Sequence, residues 1–393
     1  MADFPENSDQ PIDADNNAAE NAAENAEASS DEPNLRKADD SAENGESDGA
    51  PVGEPVTNGD APPDDRVRVR CQYCNQLNQV RAGWSPTSGV RCGKCRLPLA
   101  ADGHLKLGNI SPHEYIHPLD SQALKTLQMV PGIDPILKKV LEVTGESYLR
   151  VMFSANGVRV SEKQCPDLHA KLEVACQTLG LKQLPEMYLS VTNPMGGGGL
   201  GFNAFTSGVE KPFIVLFTPL IERLDDTEVL AVIAHELGHI HCNHLLYKVA
   251  AELLFLAASA ALGAAPLPPG VAELIAMPIR GALSTWYQKA ELSCDRAAQL
   301  VVQDSNVITN VMMKLAGGSM TSKLNHEEFI RQAREFDANN EGSFVDRFWT
   351  WQIAAGRTHP FPIWRVSEIL KWTDDPNGYR KLVEPPAASG ASA

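Results

Sequence analysis

At 393 residues the chain is long enough for two or three domains and a sizeable core. Its formal net charge of −16 is uneven: residues 1–65 hold 19 acidic residues against Arg36 and Lys37, while the remainder carries 31 acidic and 32 basic residues. A near-neutral body excludes a broad basic footprint, so no nucleic-acid partner is expected.

Residues 1–65 are rich in Asp, Glu, Asn, Ala, Ser and Pro, with few large apolar residues. Such a segment buries too little surface to offset its ordering entropy and reads as a disordered acidic tail. Its first residues lack a basic and then apolar leader, so no secretory signal is expected.

Residues 66–103 carry Cys71-x-x-Cys74 and, after a further 17 residues, Cys92-x-x-Cys95. Two such pairs suit a tetrahedral four-thiolate zinc site, and four protein ligands leave no open position, so that zinc should be structural. The alternating runs Val67–Arg70 and Gln79–Arg81 read as short strands, and the module resembles a zinc ribbon. Arg66, Arg68, Arg70, Arg81, Arg91, Lys94 and Arg96 make it basic. Nucleic acid, the acidic tail or a partner protein would each suit that charge, with a structural module that docks on something as the leading reading. The other cysteines, Cys165, Cys176, Cys242 and Cys294, show no framework spacing, which points to a reducing compartment and, without a leader, to the cytoplasm.

A helix is expected from about Ile136 to Glu146, and a strand pair over 148–160 across Asn156-Gly157. Cys165–Leu179 has a helical period, Met187–Val191 and Phe213–Phe217 read as strands, and Thr218–Glu222 as a short helix. The glycine run 196–199 has no following Lys and Ser or Thr, so it reads as a flexible loop beside a cleft and not as a phosphate loop.

Asp225 and Glu228 form a capping-box-like start to a helix expected to run to Tyr247. It contains His235-Glu236-Leu237-Gly238-His239. Four residues make about one helical turn, so His235 and His239 share a face and can grip one metal ion, with Glu236 at the flank facing a metal-bound water. A buried helix that happens to carry two histidines is the plainer alternative. A catalytic zinc has three protein ligands and one open position. Downstream, Glu291 and Asp295 again share a helix face, on an expected helix Leu283–Val302. Glu291 supplies the third ligand, and Asp295 can hold the free N–H of a ligand histidine. His241 and His244 fall off the ligand face and read as surface or packing residues.

Leu253–Ala272 is uncharged, but Pro266, Pro268 and Pro269 interrupt it. It reads as two buried or interfacial helices, with shallow membrane association of 249–283 as the second reading. A charged peripheral stretch follows over 319–345. Phe348–Trp351 and His359-Pro360 lead to a last helix near Arg365–Trp372, and residues 384–393 read as a disordered tail.

Taken together, these residues resemble the HtpX-type and CAAX-prenyl-protease-type zinc metallopeptidases, which are gluzincins. The resemblance rests on Asn203-Ala204-Phe205, the strand 213–217, the His235 helix, the Glu291 and Asp295 pair, and His359-Pro360 with Arg365, over roughly 111–380. It implies a mostly helical α+β, zincin-like peptidase domain with a small edge-exposed sheet. It implies a catalytic zinc on His235, His239 and Glu291, with Glu236 as general base, besides the structural zinc on the four cysteines. It also implies an edge strand at Asn203, Ala204 and Phe205 to which a protein or peptide substrate adds by β-augmentation. His359 and Arg365 are candidates for the second donor to the developing oxyanion, against plainer roles as a turn histidine and a structural ion pair. A catalytically silent adaptor built around the ribbon is the alternative function, opposed by the intact set His235, Glu236, His239 and Glu291.

Overall fold

The computed structural model describes residues 66–85, 88–99, 107, 110–130, 133–135, 137–138, 147–191, 203–250, 271–342 and 360–383, with backbone alone over 147–148, 271–280, 319, 321 and 340–342. The acidic tail, the glycine run, most of 253–272, the Phe348–Trp351 segment, His359 and the C-terminal tail lie outside them, as does most of the expected helix 136–146. The fold is α+β and mostly helical, with two small sheets.

The first sheet is the antiparallel hairpin of β1 (Arg66–Arg70) and β2 (Leu77–Arg81), in the register Arg66 opposite Arg81. Two short helices follow, α1 (Pro112–Tyr115) and α2 (Pro118–Gln128). The second sheet has four strands, β3 (Val158–Arg159), β4 (Glu186–Ser190), β5 (Ala204–Ser207) and β6 (Phe213–Phe217), in the order β3-β4-β6-β5. β4 and β6 run parallel, and β5 is antiparallel to β6 at the sheet edge. Alternation along β6 divides its side chains between two layers. Phe213, Val215 and Phe217 join Phe153 and Tyr188 on one face, while Ile214 and Leu216 enter the main core on the other.

Residues 147–156 are a helix, α3, where alternation suggested a strand. Leu149 and Phe153, four residues apart, both pack on the outer sheet face, so the apolar spacing is helical. The reversal falls at Gly157, where a Cβ would lie 2.7 Å from the Phe153 carbonyl and 2.8 Å from that of Leu189. Only β3, two residues long, remains of the expected strand pair.

Further helices among the described residues are α4 (Pro166–Leu179), α5 (Thr218–Ile221), α6 (Asp226–His241), α7 (Val271–Val302), α8 (Ser305–Gly317), α9 (His326–Gly342), α10 (Pro362–Asp374) and α11 (Tyr379–Val383). A 3-10 stretch, Gly318–Lys323, separates α8 from α9. At the start of α6, Asp225 Oδ1 accepts from the amides of Thr227 and Glu228, and Glu228 Oε2 accepts from the amide of Asp225. A cap of this kind contributes about 1 kcal/mol. Val229 to Ala234 and Leu237 are buried in the core. α6 ends earlier than its periodicity suggests. Asn243 takes a left-handed backbone (φ 57°), and helical backbone resumes at Leu245, just after His244. Asparagine tolerates that conformation better than most residues, so Cys242-Asn243 is the stop.

The hairpin module joins the same core. Leu97 and Leu99 are fully buried and belong to one continuous apolar cluster with residues of α4, α6, α7 and α10. Arg91 Nη1 lies 3.0 Å from Asp226 Oδ2, and Lys94 Nζ 2.8 Å from Glu173 Oε2. The basic face of the module thus meets the acidic first turn of α6 and a carboxylate of α4.

No described helix is long and apolar enough to cross a membrane.

Candidate active site

α6 and α7 pack side by side, and Gly238 permits their close approach. A Cβ there would fall 2.9 Å from the Cys294 Cα and 3.0 Å from the Ala297 Cβ. Two helix faces chosen by the i, i+4 rule are thereby brought together. His235 Nε2 lies 3.4 Å from one oxygen of Glu291, and His239 Nε2 lies 3.3 Å from the other. Glu291 and His239 are fully buried, whereas His235 keeps 12% of its side chain exposed, so the centre opens on the His235 side.

The outer nitrogen of His235 is fixed from behind. His235 Nδ1 is 3.0 Å from Asp295 Oδ1, and Asp295 is clamped by Arg365 through Nε (2.8 Å) and Nη2 (2.5 Å). Arg365 Nη1 lies 3.4 Å from Glu291 Oε2. Burial disfavours charge on His235, yet its hydrogen bonds to Asp295 and Glu291 outweigh burial and lift its pKa to about 9. Burial likewise acts upward on Asp295, and the Arg365 guanidinium overcomes it and holds the carboxyl below the usual range. His239 is held well below its ordinary value by burial and by nearby Lys248, which keeps its ring neutral.

This donor set fits a divalent zinc ion. Two imidazole nitrogens and one carboxylate converge at one buried point. Glu236 sits beside the centre and is nearly buried. Its Oε2 accepts a 2.6 Å hydrogen bond from Thr206 Oγ1 on β5. The same hydroxyl lies 3.1 Å from the Glu236 carbonyl.

Asn203, Ala204 and Phe205 lie at the entry to β5. The Asn203 side chain accepts from the Ala204 amide, and the Phe205 ring packs against Phe153 and Phe217 on the outer sheet face. His359 lies outside the described residues.

The four cysteines also meet. Cys71 and Cys95 sulfurs are 3.7 Å apart, Cys74 and Cys92 sulfurs 3.6 Å apart, and all four lie within 4.8 Å of one another. The edge of a four-sulfur tetrahedron at a zinc–sulfur distance of about 2.3 Å is about 3.8 Å, so the quartet fits zinc.

Sequence reasoning missed three participants. Thr206 carried no signal beyond its place after Asn203–Phe205. His244, read as a surface or packing residue, is buried, with Nδ1 3.3 Å from His239 Nδ1. The helix break at Asn243, a residue tolerant of left-handed backbone, was the one signal that could have turned His244 back toward the site. Asp120, on α2, lies 3.0 Å from His244 Nε2. His241 is half-buried, with Nδ1 2.8 Å from the Tyr115 hydroxyl, and takes no part in the centre.

Comparison with known proteins agrees with this chemistry. The model for peptidase family M48 matches residues 162–373. A plastoglobule-localized metallopeptidase 48, chloroplastic, from Arabidopsis thaliana is 34% identical over 288 residues, covering 71% of this chain and 78% of the relative. No solved structure matches the chain.

Proposed function

The chain belongs to peptidase family M48 and is a zinc metallopeptidase acting on peptide bonds of proteins, and from that premise we propose which residues perform the hydrolysis. The reading rests on the convergence of His235 Nε2, His239 Nε2 and the Glu291 carboxylate beside Glu236. His235, His239 and Glu291 would hold the catalytic zinc, with Asp295 orienting His235 from behind.

A bound zinc ion acidifies a water and takes up charge developing on the scissile carbonyl oxygen. Thr206 holds Glu236 Oε2, which leaves Oε1 to remove a proton from the attacking water and return it to the leaving amine. Arg365 is the candidate second donor to the oxyanion, through Nη1, which lies 3.4 Å from Glu291 Oε2 while Nε and Nη2 are engaged by Asp295. His359 is the other candidate. A substrate strand would add alongside β5 through backbone at Asn203–Phe205.

Cys71, Cys74, Cys92 and Cys95 would hold a second, structural zinc in the ribbon 66–103, and the peptidase domain would span 111–380. None of the eight cysteines is joined in a disulfide, which suits a reducing compartment, the cytoplasm in this reading, with shallow membrane association through 249–283.

The test is casein cleavage together with metal content in the wild type and Glu236→Gln. Two zincs per chain in both proteins, with cleavage reduced by about 10³-fold or more in the variant, support the reading. Equal cleavage by the two proteins would overturn Glu236 as the base.

A further inference from the structure

The two histidines of the centre are supported differently. His235 leans directly on Asp295. His239 leans on a second histidine, and behind that on a carboxylate from a helix outside the stretch matched by the family model. Asp120 is fully buried on α2 and has three neighbours able to donate to it. Trp286 Nε1 lies 3.1 Å from Oδ1, and Ser293 Oγ and His244 Nε2 lie 2.6 and 3.0 Å from Oδ2. Ser293 Oγ itself accepts from the His117 amide at 2.9 Å, so its one hydrogen is available for Asp120.

Donor and acceptor roles then follow along the chain of contacts. An ionised carboxylate only accepts, so His244 Nε2 carries the hydrogen. A neutral His244 is left with a lone pair on Nδ1, and the ring atom facing it is His239 Nδ1, 3.3 Å away. With His239 as the donor to that lone pair, its hydrogen sits on Nδ1, which leaves Nε2, 3.3 Å from Glu291 Oε1, free to bind a metal ion. The Cys294 thiol is the other neighbour of the same His244 nitrogen, at 3.7 Å, a longer and weaker contact.

We propose that Asp120, acting through His244, is the positioning carboxylate of His239, fixing its tautomer and ring orientation two residues removed from the zinc. The proposal rests on His239 being a ligand. It makes α2 part of the metal site, although none of its residues reaches the centre.

The test uses the full chain and two readouts. Zinc affinity of the more weakly held of the two zincs is measured by competition with a chromophoric chelator. The His239 tautomer is read from imidazole nitrogen resonances of the zinc-depleted protein. Asp120→Asn and His244→Leu should each weaken zinc by about 10–100-fold and turn the single Nδ1–H tautomer of His239 into a mixture. His244→Gln can donate to Asp120 and accept from His239, so it should stay within about threefold of wild type. Trp286→Phe removes a different hydrogen bond to Asp120 and should leave the tautomer unchanged. If Asp120→Asn does not fold, the contrast between His244→Leu and His244→Gln decides the matter. Equal zinc affinity and an unchanged tautomer in His244→Leu would overturn the relay. Retention of both zincs by His239→Ala would instead overturn the ligand assignment beneath it.

Discussion

The hydroxyl of Thr206, on the edge strand β5, donates to the carboxylate of Glu236, on helix α6, across 2.6 Å. The bond ties the proposed general base to the strand along which a substrate would lie. Thr206→Val keeps the shape and removes the donor. It should lower turnover by about 10-fold with little change in KM, because the loss falls on orientation of the base. Thr206→Ser should restore most of the rate. Steady-state kinetics on one peptide with the three proteins checks this. A Ser variant as slow as the Val variant would show that the methyl group, and not the hydroxyl, matters.

Asp295 accepts from His235 and Arg365 together. Asp295→Asn should reduce zinc affinity at the centre by about 10–100-fold, as expected when a ligand histidine loses its carboxylate. It also leaves the buried Arg365 charge short of a partner, which costs about 3–5 kcal/mol of stability. Zinc titration and denaturant unfolding would read the two effects separately. Wild-type zinc affinity with lowered stability would confine Asp295 to an ion-pair role.

Gly238→Ala should drive α6 and α7 apart, because the new methyl meets the Cys294 backbone at 2.9 Å. Overpacking of this kind costs about 1–3 kcal/mol. The helices that separate carry His239 and Glu291, so zinc content should fall together with the melting temperature. A stable variant with full zinc would show that the helix pair yields without moving the ligands.

Glu368 lies 3.1 Å from His117 Nε2, joining α10 to the residue that caps α2. Burial raises its pKa, but the hydrogen bond from His117 and the charge of Lys371 outweigh burial and bring it down to about 2. A carboxyl depressed on folding stabilises the native state above its unfolded pKa and loses that contribution as pH falls through its folded value. Glu368→Gln should therefore be less stable than wild type by up to about 3 kcal/mol at pH 7. The gap should close between about pH 4.5 and 2. Unfolding of both proteins at each pH, taken as a difference, cancels zinc loss common to the two. A gap that persists at pH 2 would refute this account.

The helices carrying His235 and Glu291 were legible because each puts its chemistry on a local period, readable within five residues. The hairpin 66–81 and the strand 213–217 were legible for the same reason. What escaped depends on contacts between distant segments. Asp120 and His244 are 124 residues apart, and nothing near Asp120 distinguishes it from a surface aspartate on a polar helix turn. The segment 149–153 alternates and also has an i, i+4 apolar pair, and packing of Phe153 on the outer sheet face decided for helix. Basic residues of the ribbon suited several partners on charge alone. Their pairing with Asp226 and Glu173 is a property of the assembled core.

That shared core bears on how the protein can be shortened. Leu97 and Leu99 are buried among peptidase helices, and Arg91 neutralises a carboxylate at the head of the helix that bears His235. A version beginning at residue 111 would expose an apolar patch and leave the Asp226 carboxylate with Lys171 but without its ribbon arginines, Arg91 and Arg96. The four-cysteine module is thus part of the folding unit, and a recombinant catalytic fragment has to start ahead of Arg66.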